Sequence, residues 1–270
     1  MSSSVSLEQR GSVALVRFRG SGPGNAIGAG LVRELAEACE TIAADAGVRV
    51  ALLTAEGQVF CSGWDWSALA GLPAGKGGED RPGEGWPSAA HLHGLLDDPF
   101  GCLAELTKPV VCAVNGDAIS AGLALALACD LRVAAEDAAF ALPETALGLL
   151  PMGGATQRLA RLVGRGKALE MVLTGETIDA REALRVGLVG AVAPRRELLA
   201  RAEAIAQAIA ERGPIALQYA KEAVARGAEM PLEQALRFET DLTIILQTTE
   251  DRAEGVSAFL EKRKPEFKGR

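Results

Sequence analysis

The sequence predicts an α/β fold built on a mostly parallel sheet, followed by a helical C-terminal part. Two apolar runs rich in β-branched residues, residues 48–54 and Val110–Val114, indicate strands that are buried on both faces. Strand-like and helix-like patterns alternate along the first part of the chain, which is typical of a parallel sheet with crossover helices. From residue 197 onward no strand-like pattern remains. We therefore expect an α/β core over residues 1–195 and a helical part over residues 196–270.

The N-terminal elements follow from side-chain spacing. Residues 13–18 predict a first strand, and the Gly and Pro of residues 20–25 predict a turn. Apolar side chains then recur at the spacing of one helix face and predict an amphipathic helix over residues 28–44. They are Leu31, Leu35, Ala38, Cys39 and Ile42. Beyond the next strand, residues 59–61 predict a short strand and residues 66–70 a helical turn.

A Gly- and Pro-rich segment interrupts this pattern at residues 71–87. Its composition indicates a long loop. Because the loop directly follows a candidate site segment, two interpretations stay open, a lid over a binding site and a plain insertion. Residues 89–106 then return to helical spacing, with an interruption at Asp97-Asp98-Pro99.

The core is organised around residues 109–151. Asn115-Gly116 ends the strand Val110–Val114, and the Ala- and Leu-rich run that follows predicts a helix starting near Ser120, capped by Ser120 or a neighbour. A buried strand that enters a helix through a tight turn of small residues aims free backbone N–H groups at one point. Such a turn can stabilise an oxyanion. The alternative is an ordinary strand–helix turn of an α/β core.

The remaining elements are predicted to be mostly helical. Residues 153–163 and 166–173 predict two helices, Asp179 is expected to cap a third, and residues 188–192 predict a last short strand. In the C-terminal part, four apolar side chains line one helix face: Leu198, Ala202, Ile205 and Ile209. Further helices are expected at residues 215–226, 232–247 and 252–263. Because such helices can hardly bury their apolar faces alone, we expect them to pack on the core or on neighbouring subunits.

Composition and charge argue against several classes of protein. The 270 residues are 49% hydrophobic and 23% charged, which is the composition of neither a disordered chain nor a membrane protein. The net charge of −7 and the lack of a basic stripe argue against nucleic-acid binding. No apolar run reaches the length of a membrane helix, and the first residues lack the apolar core of a signal peptide. We therefore expect a cytoplasmic protein.

Cysteine and histidine usage argues against disulfides and against a metal site. The five cysteines are scattered and form no paired motif, so they are expected to act as small hydrophobic side chains. The two histidines, His91 and His93, do not share a helix face, and no Cys lies at zinc-ligand spacing. Residues 262–270 are basic, which indicates either a solvated tail or a contact to an anionic ligand.

Several blocks of residues carry a family resemblance. They are Asn25-Ala26, FCSGWD at residues 60–65, Ser120-Ala121-Gly122, ALPET at 141–145, the Gly-rich block at 148–158, and SAFLEKRK at 257–264. In order and spacing they resemble the crotonase superfamily, the enoyl-CoA hydratase/isomerase family, over nearly the whole chain. The resemblance implies a crotonase (ClpP/crotonase-like) spiral of ββα units with a helical C-terminal trimerisation part. It also implies acyl-CoA substrates, no cofactor beyond the coenzyme A carried by the substrate, and a homotrimer or homohexamer.

The resemblance also assigns the catalytic roles. The matched donors to the thioester oxygen are the backbone N–H groups of Trp64 and Ala121, where many family members have small residues. Glu144 matches one of the two glutamates that the family's hydratases use, its alternative being a structural carboxylate that caps the next turn. The position of the other glutamate holds Ala124, and Met152 stands where some members have Asp, so neither can hold a proton. The bulky Trp64 is expected to shape the acyl pocket or, alternatively, to pack in the core.

Further matched positions are expected to contact CoA. They are Ala26, Cys61, Gly63, Asp65 and Gly122 within the subunit, and Phe259 and Lys262, which would reach the CoA of a neighbouring subunit. A second acid could come from Asp65 or from a residue of the segment 71–87, although for Asp65 support of the local turn is the interpretation that we favour.

One carboxylate is sufficient to remove a proton from one carbon and return it to another, whereas hydration requires water activation and proton delivery together. The single Glu144 therefore favours double-bond isomerisation over hydration of an enoyl-CoA. Two alternatives stay open. One is another reaction of the same oxyanion site, such as thioester hydrolysis, decarboxylation or C–C cleavage, and the other is an acyl-CoA-binding protein without turnover. Acyl-chain identity and the choice between trimer and hexamer do not follow from the sequence.

Overall fold

The computed structural model describes residues 4–65 and 98–270. The predicted helical turn at 66–70, the Gly- and Pro-rich segment 71–87 and the first half of the helical pattern at 89–106 therefore lie outside the described residues, as do both histidines.

Two sheets form the α/β core. In chain order the strands are β1 (Ser4–Arg10), β2 (Val13–Arg19), β3 (Val50–Ala55), β4 (Val110–Val114), β5 (Ala118–Ile119), β6 (Leu131–Ala135), β7 (Ala139–Ala141), β8 (Ile178–Asp179) and β9 (Ala191–Ala193). The larger sheet has the order β1-β2-β3-β4-β6-β9 and is parallel except for β1. The smaller sheet has the order β5-β7-β8. The predicted mostly parallel sheet is confirmed.

The helices agree closely with the spacing of apolar residues. They are α1 (Ala29–Ala44), α2 (Gly101–Ala104), α3 (Ala121–Leu127), α4 (Ala155–Val163), α5 (Arg165–Thr174), α6 (Ala180–Arg185), α7 (Arg195–Ala210), α8 (Pro214–Gly227), α9 (Leu232–Leu246) and α10 (Glu250–Glu261), with a 3₁₀ turn at Glu144–Leu147. All five apolar residues predicted for one face of α1 are buried. Asp179 caps α6 as predicted, because its carboxylate accepts a hydrogen bond from the Glu182 N–H at 2.7 Å.

Three sequence predictions need correction. The strand expected at 59–61 is wrong, since Cys61 forms only an isolated parallel bridge with Ala118. Ser120 does precede α3, but its side chain makes no capping hydrogen bond, because a φ of 54° turns the residue away from capping geometry. The edge strand β1 was not predicted, because five of its seven residues are polar and most are exposed.

The parallel arrangement brings the candidate site segments together. Since β3 and β4 are parallel neighbours, the segments that follow their carboxyl ends leave the sheet on the same side. Asn115 joins the two segments, because its side chain accepts a hydrogen bond from the Ala55 N–H at 3.2 Å and donates one to the Gly57 carbonyl at 2.9 Å. Residues 56–65 and 115–122 therefore start from a common, fixed edge.

The helical C-terminal part is buried unevenly. Helix α7 packs on β3, β4 and β6 of the larger sheet, and Leu198, Ala202 and Ala206 are buried there. Helices α8, α9 and α10 instead carry large exposed apolar side chains. Within residues 4–65 and 98–270, none of the helices has both the length and the apolar character of a membrane span.

The basic C-terminal segment is held against the protein. Arg263 pairs with Glu254 at 2.6 Å, Lys264 with Glu211 at 2.7 Å and Arg270 with Glu250 at 2.9 Å. The buried Asp251 carboxylate also accepts hydrogen bonds from the Lys268 and Gly269 N–H groups. Three of the cations predicted to be solvated or ligand-bound are thus paired with the protein's own carboxylates.

Candidate active site

Two segments run side by side to form the floor of the candidate site. The Cys61 N–H donates to the Asp117 carbonyl and the Ile119 N–H donates to the Cys61 carbonyl, each at 2.9 Å. Gly122, the second residue of α3, lies directly against this contact. A Cβ added at Gly122 would lie 2.5 Å from the Cys61 carbonyl oxygen, so only glycine allows the backbones to approach this closely.

Gly63 makes a second close approach between the same segments. Its φ of 121° is a conformation that favours glycine, and an added Cβ would lie 3.0 Å from the Cβ of Ser120. The Gly63 N–H donates to the Cys61 sulfur at 3.3 Å. Burial raises the pKa of the Cys61 thiol to about 12, so the thiol stays neutral and serves as a local acceptor, not as a nucleophile.

The predicted oxyanion donors are backbone N–H groups that the protein leaves free. Ile27 bonds to the residues on either side of Trp64, namely to the Gly63 carbonyl and the Asp65 N–H, each at 2.8 Å. Ala121 opens α3, where the first N–H groups have no intrahelical partner. Within the described part of the chain, neither the Trp64 N–H nor the Ala121 N–H has an acceptor.

Ser120, not Ala121, adopts the unusual backbone conformation. Ala121 has a negative φ and so accommodates its methyl group, as the sequence requires. Ser120 has φ 54° and ψ −119°, which is costly for a residue with a side chain. Its N–H is bonded to the Ala141 carbonyl at 2.9 Å. The strained residue Ser120 directly precedes the Ala121 N–H. Its backbone conformation sets the direction in which the chain enters α3.

Glu144 is the buried carboxyl of the site. It lies in the 3₁₀ turn and is only 3% exposed. Burial raises the pKa of its side chain, and hydrogen bonding from the Ser120 hydroxyl and from its own backbone opposes part of that rise. Among the described residues, its Oε2 has no hydrogen-bond partner. A buried carboxylate oxygen without a partner is unlike a structural cap and is available to a reacting group.

The surroundings of Ala124 are apolar. Ala124 is fully buried, and a Cβ added at Gly153 would lie 3.3 Å from the Ala124 Cβ and 3.1 Å from the Phe100 ring. Phe100 stacks on Trp64, with ring centroids 5.8 Å apart and an interplanar angle of 13°. The Trp64 side chain is 4% exposed, and its Nε1 has no hydrogen-bond partner in the described part of the chain. We call Trp64, Phe100, Ala124 and Gly153 the apolar wall.

Phe100 was not identified from the sequence as a site residue. It lies far from Trp64 along the chain, and only the fold brings the two rings together. The one local signal is the interruption at Asp97-Asp98-Pro99, after which α2 begins. Met152, the other inert position named from the sequence, is half-buried and packs against the core.

The segment around Asn25 and Ala26, which is expected to approach CoA, is held by hydrogen bonds to the rest of the protein and within its own turn. Asn25 has φ 53°, and its side chain donates to the Glu56 and Val59 carbonyls at 2.7 and 2.8 Å. The Ala26 N–H donates to the Ser21 carbonyl at 3.0 Å. The Asp65 carboxylate accepts a hydrogen bond from the Ser21 hydroxyl, which is a turn-supporting contact.

The two C-terminal positions of the predicted CoA site lie at the end of α10. Phe259 is 81% exposed, and Lys262 ends the helix with a φ of 57°. Both are on the part of the chain that carries unpartnered apolar side chains.

Comparisons with known proteins identify the family of the chain and its fold. A family model described as enoyl-CoA hydratase/isomerase matches residues 8–270. The chain is 39% identical to the 2,3-dehydroadipyl-CoA hydratase of Escherichia coli K12 and 36% identical to a short-chain-enoyl-CoA hydratase of Clostridium acetobutylicum, in each case over 98% of both chains. The structure superimposes on a crystal structure of an enoyl-CoA hydratase from Bacillus anthracis with a TM-score of 0.90 and 36% identity, covering 98% of this chain and 99% of that one.

Proposed function

Because the chain belongs to the enoyl-CoA hydratase/isomerase family, we propose that it is an enoyl-CoA enzyme in which Glu144 is the single acid–base group. The reaction that we propose is double-bond isomerisation of an enoyl-CoA thioester. The observation that carries the proposal is the contrast between the buried, partly unsatisfied Glu144 carboxyl and the apolar surroundings of Ala124.

The proposed mechanism begins with proton removal by Glu144. Its carboxylate takes a proton from C2 of a 3-enoyl thioester, and the electron pair moves onto the thioester oxygen. The free N–H groups of Trp64 and Ala121 hold that oxygen as it becomes negative, and loss of one such donor typically costs about 3 kcal/mol of transition-state stabilisation. The protonated carboxyl then delivers the proton to C4, which gives the conjugated 2-enoyl thioester and regenerates the carboxylate.

A raised pKa suits Glu144 to both halves of this reaction. A general acid–base group is most efficient when its pKa lies close to the operating pH. Burial raises the pKa of Glu144 toward that range, so that the carboxyl both accepts and releases a proton readily. The apolar wall adds no competing ionisable group.

Hydration is the second candidate reaction, and the names of the relatives favour it. The Escherichia coli and Clostridium acetobutylicum relatives are both named as hydratases. Hydration would require Glu144 to activate water and also to deliver a proton, or a second acid to share the work. Ala124 and Met152 supply no acid, and the Asp65 carboxylate is bonded to Ser21.

The test incubates purified protein with a trans-2-enoyl-CoA and, separately, with a 3-enoyl-CoA in heavy water, with mass spectrometry of the products. We expect interconversion of the alkenes and deuterium uptake, both lost in Glu144→Gln and kept in the matched surface control Glu176→Gln. Formation of 3-hydroxyacyl-CoA that depends on Glu144 would instead establish hydration. Absence of both reactions, with tight binding of the thioesters, would point to another acyl group or to a different reaction of the same oxyanion site.

We also propose that the enzyme assembles as a homotrimer or homohexamer through α8, α9 and α10. The support is a set of exposed large apolar side chains on these helices, among them Val224, Leu232, Ile244, Phe259 and Leu260. In this assembly Phe259 and Lys262 would lie near the CoA of a neighbouring subunit. Native mass spectrometry would give the subunit number, and Ile244→Glu should shift the protein toward monomer.

A further inference from the structure

Two buried polar atoms stand out from the rest of the protein. Within residues 4–65 and 98–270, only Trp64 Nε1 and Glu144 Oε2 are buried side-chain nitrogen or oxygen atoms without a hydrogen-bond partner. One is a donor and the other an acceptor, and both belong to the candidate site. A buried polar group without a partner costs about 1–3 kcal/mol, so such atoms usually mark a place where a ligand completes the bonding.

The proposed reaction explains why Glu144 Oε2 is buried without a partner, but it does not explain the same feature of Trp64 Nε1. The proposed reaction uses the backbone N–H of Trp64 and makes no use of its indole. Packing does not require the indole N–H either, because the stack with Phe100 uses only the ring face. A phenylalanine would satisfy such a stack without burying an unpaired donor.

The neighbours of the indole that the structure describes offer it no acceptor. Phe100 supplies a ring, and behind it lie the methyl group of Ala124 and the backbone of Gly153. The same residue carries the backbone N–H that is proposed to hold the thioester oxygen, so an acyl chain bound through that oxygen starts beside Trp64.

We propose that the Trp64 indole N–H donates a hydrogen bond to an oxygen carried by the acyl chain of the substrate. The enzyme therefore prefers enoyl-CoA thioesters whose chains bear a hydroxyl, carbonyl or carboxylate oxygen over plain hydrocarbon chains of the same length. This inference rests on the proposed function, since it takes the thioester to lie at the Trp64 and Ala121 N–H groups. Because Nε1 is buried in the free protein, the entering chain has to uncover it.

The test measures binding and needs no turnover. Saturated short-chain acyl-CoA thioesters ending in a methyl, hydroxymethyl, ketone or carboxylate group are titrated by calorimetry into wild type, Trp64→Phe and Phe100→Leu. We expect wild type to bind the best oxygen-bearing ligand at least roughly tenfold more tightly than its hydrocarbon match, as one buried hydrogen bond allows. Trp64→Phe should abolish that ratio. Phe100→Leu keeps the donor and should retain the ratio even where both affinities fall.

The possible outcomes separate this inference from the proposed reaction. Equal affinity of wild type for all the ligands would overturn the inference and leave isomerisation intact, whereas failure to bind any thioester would contradict the proposed function itself. A 3-hydroxyacyl-CoA is included as a further ligand. If wild type preferred only that ligand, the indole N–H would be donating to the oxygen that hydration adds. The proposed hydrogen bond to an oxygen of the substrate's own chain would then be overturned. The affinity ratio between oxygen-bearing and hydrocarbon ligands is measured on wild type alone. The test therefore does not depend on the folding of Trp64→Phe.

Discussion

The Glu144 side of the candidate site and the Ala124 side differ in the chemical groups that line them. On the Glu144 side a buried carboxyl acts with the Ser120 hydroxyl, and its pKa is raised by burial. On the Ala124 side the neighbours are a glycine backbone and the ring of Phe100, which stacks on Trp64. Both sides are buried, but only one of them can carry a proton.

The difference shows how one fold can favour one proton-transfer reaction over another. Two acidic sides suit addition of water, because one group activates the water while the other delivers the proton. One acidic side and one apolar side suit transfer of a single proton between two carbons, because the apolar side excludes water from the intermediate. The predictions below remove, add or adjust the acidic groups on the two sides.

Removing the acidic group should have the largest effect. Glu144→Gln keeps the size of the side chain but cannot exchange a proton, so kcat should fall by roughly a hundredfold or more. Steady-state kinetics on a 3-enoyl-CoA measure this, with Glu176→Gln as the exposed control. A Glu144→Gln variant with nearly normal kcat would show that another group carries the proton.

Adding an acid to the apolar side should have the next largest effect. Ala124→Glu places a carboxyl where the Ala124 Cβ is fully buried beside Phe100 and Gly153. We expect the free energy of unfolding to fall by roughly 2 kcal/mol or more, and the fraction of 3-hydroxyacyl-CoA product to rise. Denaturant unfolding and product analysis measure the two effects.

The control for this change is Ala124→Gln, which adds the same volume without an acid. It should lower the free energy of unfolding as Ala124→Glu does, but it should not raise the fraction of 3-hydroxyacyl-CoA product. If both variants raised hydration equally, the shape of the wall and not its lack of an acid would control the reaction.

Removing the Ser120 hydroxyl should have a smaller effect. That hydroxyl opposes the rise in the pKa of Glu144, so Ser120→Ala should move this pKa still higher. The acidic limb of the kcat/KM profile should then shift to higher pH, with a loss of roughly a few-fold at neutral pH. Ser62→Ala, at an exposed position of the neighbouring segment, is the control and should leave the profile in place.

The smallest effect is on the pH dependence of stability. Because the pKa of Glu144 is higher in the native state than in the unfolded state, the native state holds more protons between the two pKa values. The contribution of Glu144 to the free energy of unfolding should therefore be complete below its unfolded pKa and fall as pH rises through the native one. Urea unfolding of wild type and Glu144→Gln across this range should give a difference that decreases with pH. A difference that increases would mean that the native pKa is lowered.

Much of the fold could be predicted because its physical causes are local. The strand Val110–Val114 is a continuous apolar run, and α1 repeats its apolar residues at one helix spacing. The capping of α6 by Asp179 depends on residues three apart in the chain. The edge strand β1 could not be predicted in this way, because its pairing with β2 places polar side chains in solvent.

The site could be predicted only as a set of positions. Glu144, Trp64 and Ala121 were predicted as site residues because the blocks that contain them resemble those of the family. What surrounds Ala124 was not predictable, because a methyl group says nothing about the rings that reach it from Phe100 and Trp64. The strain at Ser120 was likewise hidden, because serine is an ordinary residue before a helix.

The most direct test of the central claim follows one labelled proton. A 3-enoyl-CoA carrying deuterium at C2 is converted by wild-type enzyme in ordinary water, and the product is analysed by mass spectrometry and NMR. If Glu144 alone carries the proton within a dry site, a substantial part of the deuterium should appear at C4 of the 2-enoyl product. A 3-hydroxyacyl-CoA product, or a conjugated product without deuterium at C4, would contradict a single carboxyl acting against an apolar wall.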